Sequence, residues 1–147
     1  WFSFMKIIFD YNRTIFDPES ERLYPGAFEL LEKLSVKNEL FLISKNEPGR
    51  GDVLDTLGIK QFFKRIEFTD KKDPELFLEM IGKDRNVLVV GDSIHREITV
   101  GNILGLITVR VLQGAFANQV PVSPLEKAEY EINDICDFPK ILKIYEI

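Results

Sequence analysis

The sequence predicts an α/β fold, a single Rossmann-like domain whose mainly parallel sheet of five to six strands carries helices on both faces. Short apolar runs alternate with amphipathic helical patterns along the chain, as they do in βαβ units. Proline and glycine mark the starts and ends of the helical segments. The 147 residues, of which 45% are hydrophobic and 29% charged, are enough for one sizeable core.

Six segments predict the strands. The first apolar run, Ile7-Ile8-Phe9, ends abruptly at Asp10. Four more apolar runs follow at spacings that leave room for a helix between them, and a late, more polar segment predicts a short edge strand. The predicted strands are residues 6–9, 40–44, 65–68, 86–90, 107–112 and 129–132.

Five further segments have helical patterns. The first follows Pro25-Gly26 and places Phe28, Leu31 and Leu34 on one face. The predicted helices are residues 27–35, 51–57, 74–81, 95–104 and 138–145. A hairpin-like turn at 17–24 and an irregular segment at 114–124 complete the prediction, in which one domain covers residues 1–147.

Composition excludes several classes of protein. A net charge of −5, with no broad basic face, argues against a nucleic-acid partner. Cys136, the single cysteine, excludes an internal disulfide and a multi-cysteine zinc site. Trp1, Phe2 and Phe4 lack the pattern of a signal peptide and are expected to pack on the fold. No apolar run reaches membrane-spanning length, so we expect no membrane association and a cytoplasmic protein.

Polar residues follow four of the predicted strands. Asp10 follows the first, Ser44 ends the second, Lys71 lies just past the third and Asp92 follows the fourth. The carboxyl ends of parallel strands meet at one edge of a sheet, where open α/β folds bind ligands. Two neighbouring carboxylates suit Mg²⁺, while an ammonium and a hydroxyl suit a phosphoryl group. Asp10 is then a candidate nucleophile that forms an aspartyl-phosphate.

Four stretches resemble, in order, the motifs of the haloacid dehalogenase (HAD) superfamily. Residues 10–17, DYNRTIFD, resemble D-x-D-x-T-(apolar)-x-D, and residues 41–44, FLIS, resemble the apolar strand that ends in Ser or Thr. Residues 71–77, KKDPELF, are similar to K-P-D-P-E-x-F, with Lys72 at the first proline. Residues 91–98, GDSIHREI, are similar to G-D-S-x-x-x-D-I, with Glu97 at the second acid.

The resemblance implies a Mg²⁺-dependent phosphatase or phosphotransferase that acts through an aspartyl-phosphate on Asp10. It implies that Asp10, the backbone carbonyl of Asn12, and Asp92 hold the metal. Glu97 would bind it through water or brace the metal site.

The same resemblance implies a phosphoryl site made by Ser44 and Lys71, with Thr14 supporting the turn after the first strand. The family's cap domains lie between the first and second motifs or between the second and third. Here those gaps, 34 positions from Asp10 to Ser44 and 27 from Ser44 to Lys71, leave room for none. An open site would accept a phosphorylated small molecule or a phosphorylated macromolecule, or would be closed by a second subunit of a homo-oligomer.

Asn12 departs from the family pattern, because an amide cannot act as the general acid and base. General acid–base catalysis contributes roughly 10²–10⁴-fold, so we expect weak turnover of alkyl phosphates. Four interpretations stay open: a substrate with a good leaving group, His95 or Asp17 acting as the acid, an engineered Asp→Asn change, or a catalytically inactive phosphate-binding or scaffold protein.

Two other interpretations use the same residues. A Ser or Asp after a strand is often a helix N-cap, which is the alternative for Ser44 and Asp92. A receiver-type phosphoacceptor domain has a similar fold but requires a lysine after its fifth strand. Here Gln113-Gly114-Ala115 occupies that place and the lysine follows the third strand, which disfavours the receiver.

Overall fold

A computed structural model of the chain describes residues 5–146. The packing predicted for Trp1, Phe2 and Phe4 lies outside the described residues. The strands are β1 (Lys6–Asp10), β2 (Phe16–Asp17), β3 (Arg22–Leu23), β4 (Glu39–Ser44), β5 (Phe63–Phe68), β6 (Val87–Gly91), β7 (Ile107–Val111) and β8 (Tyr130–Ile132). The helices are α1 (Ala27–Lys37), α2 (Arg50–Leu57), α3 (Pro74–Ile81), α4 (Glu97–Ile103) and α5 (Phe138–Tyr145).

Within residues 5–146, six strands form one sheet in the order β5-β4-β1-β6-β7-β8, and every neighbouring pair is parallel. The predicted α/β fold is therefore confirmed. All six predicted strands lie within two residues of their observed ends, and α3 and α5 have the predicted bounds. The assignment of the whole chain, 1–147, to one domain stays a prediction.

Helix α4 starts two residues later than predicted. Residues 94–96 form a turn instead, and the Ser93 backbone N–H donates to Glu97 Oε1 at 3.0 Å. Helix α1 continues two residues beyond its prediction to Lys37, and it ends where the Asn38 side chain donates to the Leu34 carbonyl at 3.1 Å. Side-chain bonds to the backbone thus set both helix ends.

Alternate side chains of the sheet strands pack on opposite faces, as the period of a strand requires. In β1, Ile7 and Phe9 belong to one apolar core with α1 and α5, while Ile8 belongs to the other core with α3 and α4. Because both faces are covered, β1, β4 and β6 are buried except for the first residues of β1 and β4. The polar residues of these three strands lie at the strand ends.

The connections between the central strands are short. Between β1 and β4 lie the two-stranded β2–β3 hairpin and α1, and between β4 and β5 lie α2 and one turn of 3-10 helix. In residues 5–146 no domain is inserted at either place, in agreement with the sequence. Over the same residues, no helix combines the length and the apolar character needed to span a bilayer.

Candidate functional site

Three strands deliver polar residues to one edge of the sheet. Asp10 ends β1 and pairs in register with Ile43, so Ser44 at the end of β4 lies one step beyond it. Asp92 directly follows β6, the other neighbour of β1. Each of these three residues is buried. The structure therefore brings Asp10, Ser44 and Asp92 together as expected for a parallel sheet.

An acidic cluster lies at this edge. One carboxylate oxygen each from Asp10, Asp92 and Glu97 lies within 4.8 Å of the others, and all three residues are buried. Gly91 makes room for the third acid, because a Cβ at this position would overlap the Glu97 side chain. The acids thus converge from β1, from the β6 exit and from the start of α4.

Lys72, and not Lys71, is the lysine of this cluster. Its Nζ contacts Asp10 Oδ1 and lies 3.2 Å from Glu97 Oε2, and its side chain is 7% exposed. Lys71 is exposed and is held by its backbone in a turn with the Thr69 hydroxyl. The structure thus places Lys72 at the cluster and the predicted Lys71 one residue away, outside it. Asp73 caps α3 by accepting from the Leu76 N–H, and this cap fixes the preceding residue, Lys72, at the sheet edge.

Burial changes the proton affinity of this cluster. Burial, with the negative charge of Asp10, raises the pKa of Asp92 to about 9, although Arg13 acts in the opposite direction. Burial and Asp10 likewise raise the pKa of Glu97. For Lys72, burial would lower the pKa, but the charges of Glu97 and Asp10 outweigh it and the pKa is raised. Three buried carboxylates sharing two nearby cations are a donor set that fits a hard divalent ion.

Arg13 is a site residue that the sequence analysis missed. Its Nε donates to Asp92 Oδ2 at 3.1 Å, and its guanidinium lies 4.4 Å from the centre of the Phe116 ring. Its φ of 61° is left-handed, a conformation that costs a non-glycine residue about 1–2 kcal/mol. Gly114 packs so closely on Arg13 that a Cβ would lie 2.8 Å from its Cγ. The sequence feature that could have indicated it is an arginine at a variable (x) position of the first motif, D-x-D-x-T.

Arg50 is a second residue that was missed. It is buried at the start of α2, donates to Ser44 Oγ, pairs with Glu47 at 2.8 Å and lies 4.4 Å from the Tyr11 ring centre. Ser44 is not a helix cap, because Gly49 is the N-cap residue of α2. Its hydroxyl is instead held in place by a guanidinium. No pattern in the sequence specifies this contact.

The remaining predicted site residues divide into two groups. Thr14 is buried and its hydroxyl lies 3.4 Å from Asp10 Oδ2, and Asn12 lines the cleft above the cluster. His95 pairs with Glu126 at 2.8 Å on the surface, and Asp17 accepts from Ser20 in the hairpin turn. Neither His95 nor Asp17 lines the cleft, which disfavours both as replacements for the missing acid.

The site opens into a cleft of about 540 Å³. Its lining is mostly polar and includes cations from four different parts of the chain. The cationic residues are Arg13, Lys45, Arg50, Lys72 and Arg96, and the acidic ones are Asp10, Glu21, Glu47 and Asp92. Such a cleft can hold a cation against its acids and an anion against its lysines and arginines.

Comparisons with known proteins agree with this geometry. Neither a family model nor a curated protein matches the sequence. Among solved structures, the HAD-hydrolase YfnB from Bacillus subtilis, bound to magnesium, is 26% identical with a TM-score of 0.69. The match covers 82% of this chain and 56% of that one, so the chain spans little more than half of that relative's length.

Two other solved structures match over nearly their whole length. A haloacid dehalogenase-like hydrolase from Burkholderia xenovorans is 15% identical with a TM-score of 0.77, over 96% of this chain and 97% of that one. The D,D-heptose 1,7-bisphosphate phosphatase from Burkholderia thailandensis is 20% identical with a TM-score of 0.69, over 94% and 97%. At these identities the likeness shows the fold. Together, that fold and the four ordered motifs at one edge of its sheet make the chain a member of the haloacid dehalogenase superfamily.

Proposed function

We propose that this protein is a Mg²⁺-dependent phosphatase or phosphotransferase that uses Asp10 as its nucleophile. The observation that carries the proposal is the convergence of Asp10, Asp92 and Glu97 within 4.8 Å, with Lys72 contacting two of them. Three buried acids around a buried lysine have an unfavourable cost in desolvation, so a purely structural origin is a poor explanation. A phosphoryl-transfer site can use this set, because acids hold a metal ion and a lysine offsets the charge of the phosphoryl oxygens.

Asp10 is positioned for nucleophilic attack. Lys72 contacts its Oδ1, and the Thr14 hydroxyl lies 3.4 Å from its Oδ2. A carboxylate oxygen of Asp10 forms a bond to phosphorus as the bond from phosphorus to the leaving oxygen breaks. Water then attacks the aspartyl-phosphate, which releases phosphate and restores the Asp10 carboxylate. Transfer to another hydroxyl in place of water would make the reaction a phosphotransfer.

The residues around Asp10 fit the charge of the reacting group. Lys72 offsets the negative charge of the phosphoryl oxygens, and Ser44, oriented by Arg50, offers a hydroxyl donor. A magnesium ion would be held by Asp10, Asp92 and the Asn12 backbone carbonyl, with Glu97 bracing the set. When bound, it supplies positive charge beside the transferring phosphoryl group.

Asn12 limits the reaction. Its amide can donate a hydrogen bond to the leaving oxygen but cannot give up a proton, so an alkoxide would leave without general-acid help. A good leaving group, such as that of an acyl or aryl phosphate, needs no such help. We therefore propose slow turnover of alkyl phosphates and faster turnover of activated phosphates.

A second candidate function is a phosphate-binding or scaffold protein without turnover. Asn12 favours it, and so does Arg13, whose guanidinium already contacts one carboxylate oxygen of Asp92. The two functions share the same cleft. They differ only in whether a covalent intermediate forms on Asp10.

The test is phosphate release from p-nitrophenyl phosphate with and without Mg²⁺, measured on the wild type and on Asp10→Asn. The proposal expects Mg²⁺-dependent release that Asp10→Asn abolishes. Asp55→Asn is the matched control, because Asp55 is exposed and, among residues 5–146, its side chain pairs only with Lys60 on the surface. Release that survives Asp10→Asn would refute the mechanism, and Mg²⁺ binding without release would favour the second candidate.

A further inference from the structure

We propose that the substrate carries a second anionic group, a carboxylate or a second phosphate, which binds between Lys45 and Arg96. This inference rests on the proposed function, because it adds a substrate class to the same cleft. It starts from a difference among the five cations of the cleft. Within residues 5–146, three of them have anionic partners and two do not.

Each of the three partnered cations forms an ion pair with an acidic side chain. Arg13 pairs with Asp92, Arg50 with Glu47, and Lys72 with Asp10 and Glu97. Among residues 5–146, the side chains of Lys45 and Arg96 have no hydrogen bond or ion pair. Both are exposed at the cleft wall. Their charge is therefore available to a ligand.

Lys45 and Arg96 also line a second recess, of about 230 Å³, that adjoins the main cleft. Lys72 lines both spaces, so the recess begins where the reactive cluster ends. Its other lining residues are Thr69 and Asp70, and Asp70 is the one acid among them in the part of the chain described. A molecule whose phosphate reaches Asp10 can thus extend a second group toward Lys45 and Arg96.

The charge of this region favours an anion over a neutral group. The whole chain carries a net charge of −5, yet the recess is lined by three cations and one acid. Glu21, a cleft acid whose side chain has no partner in residues 5–146, lines the main cleft but not the recess. Arginine binds carboxylate or phosphate through two parallel hydrogen bonds, and lysine adds a point charge. The recess is small, which suits one anionic group of a small molecule.

The structure places Lys45 and Arg96 on separate strand exits. Lys45 follows β4 and Arg96 precedes α4, so the pair spans the mouth of the cleft from two sides of β1. In a protein without an inserted cap, these exits are where selectivity for the rest of the substrate can arise. Lys45 and Arg96 are therefore specificity residues, distinct from the reacting cluster.

The experiment compares three kinds of aryl phosphate whose leaving phenols are similarly basic. Phenyl phosphate has no second anion, carboxyphenyl phosphates carry a carboxylate, and phenylene bisphosphates carry a second phosphate, the last two tested as meta and para isomers. We expect kcat/KM for at least one doubly anionic substrate to exceed that for phenyl phosphate by tenfold or more. Comparison of the two doubly anionic series tells which anion the recess prefers.

The Lys45→Ala/Arg96→Ala double variant should reduce that ratio at least tenfold, and Lys45→Glu/Arg96→Glu should invert it. The matched control is Lys83→Ala/Arg85→Ala, which removes a lysine and an arginine that are exposed away from the cleft. Equal ratios in the wild type and the double variant would overturn the inference while leaving the phosphatase proposal intact.

Binding gives a readout that does not depend on turnover. If all substrates are left intact, the proposed phosphatase function fails, and the same compounds are then compared by thermal shift. Stabilisation by the doubly anionic compounds that the Lys45→Ala/Arg96→Ala variant loses supports the recess as an anion site. Stabilisation that the variant retains, or none at all, rejects it.

Discussion

Arg13 Nε lies 3.1 Å from Asp92 Oδ2, and the arginine reaches this position from a left-handed backbone with a φ of 61°. Stacking on Phe116 and close packing against Gly114 hold the side chain there. Strained backbone conformations cluster at functional sites, and Arg13 combines such a conformation with a contact to an acid of the site. Arg13 therefore competes with any cation that binds Asp92.

Arg13→Gly should strengthen Mg²⁺ binding. Glycine adopts the left-handed conformation without strain and frees the Asp92 oxygen. We expect the Mg²⁺ dissociation constant, measured by calorimetry, to fall by roughly three- to tenfold, the equivalent of about 0.7–1.4 kcal/mol. Glu21→Gly is the matched control, since Glu21 also has a positive φ, of 57°, but makes no contact with Asp92. An equal gain in both variants would assign the effect to something other than the ion pair.

Asn12→Asp should restore general acid–base catalysis. The added carboxyl group can protonate the leaving oxygen and then activate water, so kcat for an alkyl phosphate should rise by roughly 10²–10⁴-fold. The gain for p-nitrophenyl phosphate should be smaller, because nitrophenolate leaves without a proton. Asn12→Gln, which retains an amide, should give no gain. A rise that is equal for both substrates would contradict an acid role at position 12.

Lys72→Ala and Lys71→Ala form a natural pair. Lys72 is the buried counter-ion of Asp10 and Glu97, so its loss leaves uncompensated buried charge and should lower the free energy of unfolding by roughly 3 kcal/mol at neutral pH. Lys71 is exposed, and its loss should change that free energy by less than about 0.5 kcal/mol. Urea titrations without Mg²⁺ measure both. Equal effects would return Lys71 to consideration as the site lysine.

Asp92 should make stability fall as the pH rises. Burial and the charge of Asp10 raise its pKa to about 9, so the folded protein retains a proton that the unfolded chain releases near pH 4. Stability present at acidic pH is thus lost between about pH 4 and pH 9, by at most about 1.4 kcal/mol per pH unit. The Asp92→Asn variant has no carboxyl group at this position and should not lose this stability. In Mg²⁺-free buffer, the Tm of Asp92→Asn relative to that of the wild type should therefore rise as the pH increases.

Two comparisons check the assignment to Asp92. Mg²⁺ should raise the Tm of the wild type more at pH 8 than at pH 6, because binding displaces the retained proton, and it should have little effect on Asp92→Asn. Asp55→Asn, at an exposed ion pair, should follow the wild type at each pH. Tm curves for Asp92→Asn and the wild type that run parallel across this range would contradict the raised pKa.

The sequence was sufficient for the fold because apolar runs such as Ile7-Ile8-Phe9 have the length of a strand buried on both faces. It also located Asp10, Ser44 and Asp92 at one edge, since that follows from parallel strand direction alone. The sequence did not identify the site lysine, because the direction of two consecutive lysine side chains depends on the local course of the loop. Here the loop ends at Asp73, the N-cap residue of α3, and the lysine directly before this cap, Lys72, contacts Asp10.

The positions of Arg13 and Arg50 in the site could not be predicted from the sequence, for a related reason. Each makes its defining contacts with residues brought close by the tertiary structure, Asp92 and Phe116 for the first and Tyr11 for the second. Cation–π contacts and a left-handed backbone leave no periodic trace in a sequence. Patterns specify which face a residue occupies, whereas these side chains are placed by their partners.

The bare backbone at Gly91 has a consequence for how this protein can vary. The Glu97 side chain occupies the volume that a methyl group at position 91 would need, and from there it reaches both the Ser93 N–H and Lys72. Positions 91 and 97 therefore constrain each other, because the Glu97 side chain fits only beside a residue without a Cβ. A substitution that adds a side chain at position 91 requires a smaller side chain, or a different rotamer, at position 97.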